Sequence, residues 1–284
     1  MHIWKKIEEK LGVKITETTP VSGGCINETY AFVTGNGSRY FCKINRNAPP
    51  DFFDAEVDGL AALAQVDDWQ TPVPEFLVKE DHEQALVLTY IEKGLPTEQY
   101  WRNLGKALAR LHKLSHNTFG WKQDNYIGSL RQKNTFTETW EDFFITSRIE
   151  PLVKKAVDQG VINTNEAKVF NTFYEKIHTL FPKEKPALLH GDLWSGNVMP
   201  AQHNQPAIYD PAVYYGHREV DLAMTYLFGG FTPAFYQAYN EEFPLSEGFT
   251  SRKDFYNLYP LMVHVLLFGK SYWYEVEGIL KRLK

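Results

Sequence analysis

The run His190-Gly191-Asp192-Leu193-Trp194-Ser195-Gly196-Asn197, followed by Asp210 a short distance on, carries the densest chemistry in the chain. Apolar residues Ala187, Leu188 and Leu189 lead into it, and Ala207, Ile208 and Tyr209 lead into Asp210-Pro211. Both read as short strands that end on polar residues. A phosphoryl transfer needs a group that orients the attacking hydroxyl and accepts its proton, which suits the Asp192 carboxylate. It also needs hard oxygen ligands for Mg²⁺, which suits the Asn197 carbonyl and the Asp210 carboxylate. Asp followed five positions later by Asn is the spacing of a phosphoryl-transfer catalytic loop. The plain alternative is a set of turn residues beside glycine.

Residues far upstream bear on that choice independently. Ser22-Gly23-Gly24 falls between two strand-like segments, so its backbone amides can approach phosphate oxygens. Lys43 lies on the third strand, flanked by apolar Phe41 and Ile44. A lysine there pairs with nucleotide phosphates, and Glu56 in the following helical segment can hold it by an ion pair. Singly, Gly23 and Gly24 are an ordinary turn and Lys43 and Glu56 ordinary surface charges. In order along the chain, glycine turn, strand lysine, helix glutamate, then Asp192, Asn197 and Asp210 form a set that accident rarely produces.

Working outward, the first ninety residues read as strands with one helix. Segments 13–21, 28–33 and 39–44 are strand candidates, the last two joined by Gly35-Asn36-Gly37, a hairpin signal. Pro49-Pro50 forces an extended break. Phe53, Val57, Leu60 and Ala64 recur at helical spacing over 51–65, and 75–79 and 85–91 read as two more strands. After Gly94-Leu95-Pro96 the pattern turns helical, with apolar stripes at Trp101, Leu104, Leu108, Leu111 and at Phe170, Phe173, Ile177, Leu180. Segment 137–149 reads as helix until Pro151. The shift predicts a β-rich lobe over 1–92, a larger helical lobe over 93–284, and a ligand site in the cleft between them.

The chain has 284 residues, 43% of them hydrophobic and 23% charged, which fits a globular protein with a sizeable core. With 30 Lys plus Arg against 35 Asp plus Glu, the formal charge is -5, without the basic excess expected of a general nucleic-acid partner. The longest apolar run, 258–268, is interrupted by Pro260 and His264 and is too short to span a bilayer. No membrane association is expected. Cys25 and Cys42 cannot form a disulfide framework, and the N-terminus lacks the apolar core of a signal peptide. The expected compartment is the cytoplasm.

The segments Gly23-Gly24-Cys25-Ile26-Asn27, 188–197 and 209–223 resemble the fructosamine kinase (ketosamine kinase) family, in the aminoglycoside- and choline-kinase branch of the protein-kinase-like fold. The resemblance runs over nearly the whole chain in element order. Trp194 and the run Tyr214-Tyr215-Gly216-His217-Arg218-Glu219 separate this family from its relatives. It implies an α+β fold of two lobes and ATP-dependent phosphorylation of a sugar hydroxyl on a ketosamine, small or protein-bound, with Mg²⁺. Carried over by position, Asp192 is the catalytic base, Asn197 and Asp210 the Mg²⁺ ligands, and Lys43 the phosphate-pairing lysine held by Glu56. Leu88, Thr89, Tyr90 and Ile91 become the hinge whose backbone meets adenine, and Asp221 a structural brace. Trp194, Tyr214 and His217 are candidate substrate contacts, each with a structural alternative. The loop reads His-Gly-Asp where protein kinases have His-Arg-Asp, Asp210 is followed by Pro-Ala, and no Ala-Pro-Glu segment is present, so control by activation-loop phosphorylation is not expected. A kinase for another small alcohol and a non-catalytic nucleotide-binding module remain open beside this reading.

Three other signals are set aside. Gly269-Lys270-Ser271 lacks the first glycine of a Walker A loop, since position 264 is histidine. His112 and His116 lack the glutamate of a zinc-binding helix and read as solvated helix-end residues. Ser195 follows Leu193-Trp194 and so has no nucleophile elbow. Cys25, beside the glycine turn and near Lys43, is a redox candidate: amide dipoles and a neighbouring ammonium lower a thiol pKa. The competing reading is a small buried filler. Oxidation through an intermolecular Cys25 disulfide would link two copies, the oligomeric state being otherwise open. Peroxide should inhibit the protein and spare Cys25→Ala; equal sensitivity of the variant contradicts the assignment.

Overall fold

The computed structural model describes residues 2–21, 26–80 and 82–283. It begins with a helix that the sequence reading missed, α1 (His2–Leu11), then β1 (Ile15–Pro20), β2 (Glu28–Thr34), β3 (Arg39–Arg46), α2 (Phe52–Leu63), β4 (Pro74–Lys79) and β5 (Glu83–Thr89). The five strands form one antiparallel sheet in the order β1-β2-β3-β5-β4. Side chains alternate across it. Cys42, Ile44, Ala85 and Val87 face α1, where Ile3 and Ile7 are buried against them. Leu86 and Leu88 face α2, where they pack on Phe52, Phe53 and Leu60. Lys43 lies between Cys42 and Ile44 and therefore shares the α2 face.

A stretch without strand or helix spacing leads from Thr89 to α3 (Glu98–Lys113), capped by the Thr97 hydroxyl accepting from the Tyr100 amide at 3.1 Å. The small hairpin β6 (Asn125–Ile127) and β7 (Leu130–Gln132) follows. Next come α4 (Trp140–Phe143), a π-helical turn over Phe144–Ile149, and α5 (Glu150–Asp158). Pro151 does not end this helix, as the sequence reading expected. It sits in the first turn of α5, after the π-turn, where a missing N–H costs nothing. Two further helices, α6 (Thr164–Ala167) and α7 (Asn171–Leu180), precede β8 (Ala187–Leu189).

The strands β9 (Val198–Pro200) and β10 (Pro206–Ile208) pair with each other, and β11 (Tyr214–Gly216) pairs with β8. The remaining helices are α8 (Glu219–Leu227), α9 (Pro233–Glu242), α10 (Phe249–Tyr256), α11 (Leu258–Phe268) and α12 (Trp273–Lys281). They enclose a core of aromatic side chains that includes Trp140, Phe143, Phe144, Phe173, Tyr214 and Tyr256. The loop 190–197 runs from β8 to β9 and Asp210 follows β10, so both lie where the β8–β11 pair, which reaches that core, meets the β9–β10 hairpin, which packs with α3. No helix among the described residues is long and apolar enough to cross a membrane.

Because Ile7 is fully buried between α1 and the sheet, Ile7→Ala should lower unfolding free energy by about 2–4 kcal/mol. Urea denaturation reads this directly; an unchanged midpoint would mean that α1 does not contribute to the core.

Candidate active site

Loop 190–197 is fixed from below by one buried carboxylate. Asp221, in the first turn of α8, accepts from the amides of His190 at 2.7 Å and Gly191 at 2.9 Å, and pairs with His112 Nε2 at 3.2 Å. Gly191 has φ +83, and a Cβ there would collide with the Ala212 carbonyl, so only glycine lets the chain turn. The His190 Nδ1 accepts from the Asp192 amide at 3.2 Å, which leaves Nε2–H to donate to the Tyr209 carbonyl at 2.9 Å. Burial lowers the His190 pKa, consistent with this neutral tautomer. His190 therefore ties the loop to the strand that leads into Asp210.

Asp192 and Asn197 then face the same space. Asn197 Nδ2 donates to the Asp192 carbonyl at 2.8 Å and to its Oδ2 at 3.2 Å, so the Asn197 Oδ1 is the end left for a cation. Asp210 has φ +57, a left-handed conformation that aspartate tolerates better than most residues. Its carboxylate forms an ion pair with Lys43, which also bonds Glu56 Oε1 at 2.5 Å. Burial alone would lower the Lys43 pKa, but the negative charges of Asp210 and Glu56 outweigh it and the ammonium is held charged. Asp192 is pushed up to about 7, first by burial and then by the charge of Asp210, against the opposing Asn197 hydrogen bond.

These groups line one cavity of about 350 Å³. Lys43 and Glu56 come from the sheet side, and Asp192, Asn197 and Asp210 from the helical side. Trp194 lines it too, with its ring 6.4 Å from that of Phe228. Phe228, His264 and Phe268 continue an aromatic wall, the His264 ring 4.8 Å from Phe228 and 5.2 Å from Phe268. Sequence reasoning passed over this wall and over Asn27 and Tyr126, which also line the cavity. The polar interruption of the apolar run by His264 was the available signal.

Other expected residues fall elsewhere. Tyr214 and His217 do not reach the cavity, which corrects their assignment as substrate contacts. Tyr214 is fully buried, with the Arg148 guanidinium 3.9 Å from its ring centre. His217 stacks on Trp140 at 4.6 Å, bonds the Tyr256 hydroxyl, and is pushed down to about 3 by burial and by Arg252 and Arg218. His112 is likewise no solvated helix end: it is buried between Asp221 and the Tyr239 hydroxyl at 2.8 Å. Leu88 packs into the apolar cluster under α2, while Thr89 at the end of β5 and Tyr90 and Ile91 in the connection are half-buried and do not line this cavity. Gly23, Gly24 and Cys25 lie outside the described residues.

Could a divalent cation be held here? Among the described residues, no group of three His, Cys, Asp or Glu side chains is arranged for a metal. The donors are instead one amide oxygen and one carboxylate, Asn197 and Asp210. Mg²⁺ is commonly bound this way, with one or two protein oxygens, phosphate oxygens and water completing its octahedron. The residues fit that ion. For the brace beneath them, Asp221→Asn would leave a buried backbone donor without its acceptor and should cost about 3 kcal/mol of stability. An unfolding midpoint equal to wild type would contradict the role assigned to Asp221.

Comparison with known proteins agrees with this geometry. The family model for fructosamine kinase matches residues 1–284. An Enterococcus faecium protein named a probable ketoamine kinase is 42% identical over 266 residues, covering 92% of this chain and 93% of its own. A Thermobifida fusca crystal structure bearing the name putative fructosamine-3-kinase is 31% identical, with a TM-score of 0.86 over 99% of this chain and 98% of that one. A macrolide 2′-phosphotransferase type I, 13% identical with a TM-score of 0.61, covers 98% of this chain and 95% of its own and shares the protein-kinase-like fold alone. Taken with the cavity between sheet and helices, these matches make the chain a member of the fructosamine kinase family, an ATP-dependent phosphotransferase.

Proposed function

We propose that the protein transfers the terminal phosphoryl group of ATP to a sugar hydroxyl of a ketosamine, with Asp192 as the catalytic base. The observation that carries this is the convergence of Asp192, Asn197, Asp210 and the Lys43–Glu56 pair on one cavity. Lys43 would bind nucleotide phosphate oxygens, and Glu56 would keep its ammonium aimed there. Asn197 Oδ1 and the Asp210 carboxylate would hold Mg²⁺, whose charge offsets that building on the transferred group. An adenine extending beyond this cavity to the end of β5 would meet the backbone of Leu88, Thr89, Tyr90 and Ile91. The cytoplasm, where ATP is made, is the expected setting.

Within the cavity, Asp192 would accept the hydroxyl proton while Asn197 Nδ2 holds the carboxylate in position. Trp194 and the aromatic wall would shelter the acceptor from water. Asp192 must be ionised to act, and its pKa is raised to about 7. Its protonated fraction therefore dominates below that value, and activity should rise as pH rises through about 7.

The test is ADP release from Mg·ATP with ribulosamine and fructosamine compounds side by side, with choline and an aminoglycoside as further acceptors. Turnover on a ketosamine is expected, and turnover confined to choline or the aminoglycoside would overturn the substrate class. Asp192→Ala should abolish transfer, by about 10⁴-fold or more, with an unchanged circular dichroism spectrum. Retained turnover in that variant would refute the role of Asp192.

A further inference from the structure

Helix α2 carries Glu56, and a helix lying on a sheet is in principle free to swing with it. Here α2 is held from the other lobe as well. The Trp121 Nε1–H donates to Asp58 Oδ2 at 2.8 Å, and Lys122 Nζ lies 2.5 Å from the other oxygen of the same carboxylate. At the start of the helix the Tyr126 hydroxyl donates to Asp51 Oδ1 at 2.6 Å, and its ring packs on Phe52 at 4.9 Å. Asp51 and Asp58 lie on either side of Glu56 in the chain, so the anchors bracket it.

A third point of contact joins α2 to the segment that carries Asp210. Gly59 lies against Pro211 so closely that a Cβ would sit 2.7 Å from the proline ring. Trp121 and Tyr126 belong to the connection between α3 and β7, which is itself fixed below. Asn125 Nδ2 donates to the Val213 carbonyl at 2.8 Å, and Gln132 Nε2 to the Ala212 carbonyl at 3.0 Å. The same connection therefore grips both α2 and the chain just beyond Asp210.

We infer that segment 121–126 is a clasp that locks α2 against the helical lobe, so that the Glu56–Lys43 pair stands formed before nucleotide arrives. Trp121 and Tyr126 are positioning residues acting through Glu56. The inference rests on the proposed role of Lys43 in nucleotide binding. It goes further in assigning the pre-set position of α2 to two hydrogen bonds, one of them from Trp121, which does not line the cavity, and one from Tyr126, which does. A partner or modification that repositions α2 is then not required.

The experiment compares wild type, Trp121→Phe, Tyr126→Phe and the double variant, each substitution removing the donor and keeping an aromatic ring. Hydrogen exchange of the α2 amides is read in the absence of nucleotide, and the dissociation constant for Mg²⁺ with a non-hydrolysable ATP analogue is read by calorimetry. The double variant should exchange about tenfold faster in α2, with α11 unchanged, and bind the analogue about fivefold more weakly. In Trp121→Phe, whose side chain does not line the cavity, the KM for the acceptor should stay at the wild-type value while the KM for ATP rises. Adding Asp51→Ala to Tyr126→Phe should cost little more, since the bond is already gone and the remaining Arg131 partner at 3.6 Å is an exposed ion pair. Unchanged α2 exchange in the double variant overturns the clasp, as does faster exchange spread evenly over α2 and α11. A wild type that binds no analogue, with α2 still loosened by the substitutions, would strike the nucleotide reading and leave the clasp standing. If the double variant does not fold, Asp51→Ala alone, at a half-exposed carboxylate, removes the acceptor and gives the same exchange readout.

Discussion

Lys43 Nζ sits between the carboxylates of Glu56 and Asp210 with almost no contact with solvent, and those three side chains come from a strand, a helix and a loop in different parts of the chain. Withdrawing an ammonium from water is costly unless paired charges and hydrogen bonds compensate it. The fold meets that condition by bringing the Asp210 loop up to the sheet. The position of the larger lobe relative to the sheet is thus tied to one buried cation. Glu56 is the more enclosed partner, whereas the Asp210 side chain stays 41% exposed. That asymmetry suits a lysine with one fixed partner and one that is exchangeable for phosphate.

Rigidity on the other side of the cleft comes from hydrogen bonds to backbone amides. Asp221 receives two consecutive amides of the loop, and His190 links that loop to Tyr209. Asn197 completes the arrangement by bonding Asp192 through its amide nitrogen. Charge-assisted bonds of this kind are short and directional. They hold Asp192 within a partly desolvated space beside Asp210, and this same enclosure raises its pKa. Geometry and acidity of the expected base therefore share a single structural cause.

Much of this was legible in the chain because the chemistry is local. The loop 190–197 carries its spacing on its face, and the order of strand candidates placed Lys43 on the third strand, flanked by Phe41 and Ile44. The stretch between Thr89 and Glu98, where the expected boundary falls, was marked by Gly94 and Pro96. What stayed hidden depends on tertiary packing. Helix α1 was missed because only Ile3 and Ile7 mark its buried face. Tyr214 and His217 follow soon after Asp210 in sequence, yet β11 and the residue after its end place them in the aromatic core. His112 looked like a helix-end histidine until α8 and α9 supplied its partners. The aromatic wall of Phe228, His264 and Phe268 joins two segments that no short motif connects.

The central claim is that one cation and one ammonium divide the phosphates between them above Asp192. A crystal structure with Mn²⁺ and a non-hydrolysable ATP analogue, read by anomalous scattering, tests it most directly. The account predicts a manganese peak bonded to Asn197 Oδ1 and the Asp210 carboxylate, with Lys43 turned from Asp210 to phosphate and still bonded to Glu56. A peak elsewhere, or a Lys43–Asp210 pair that persists with nucleotide bound, would contradict it.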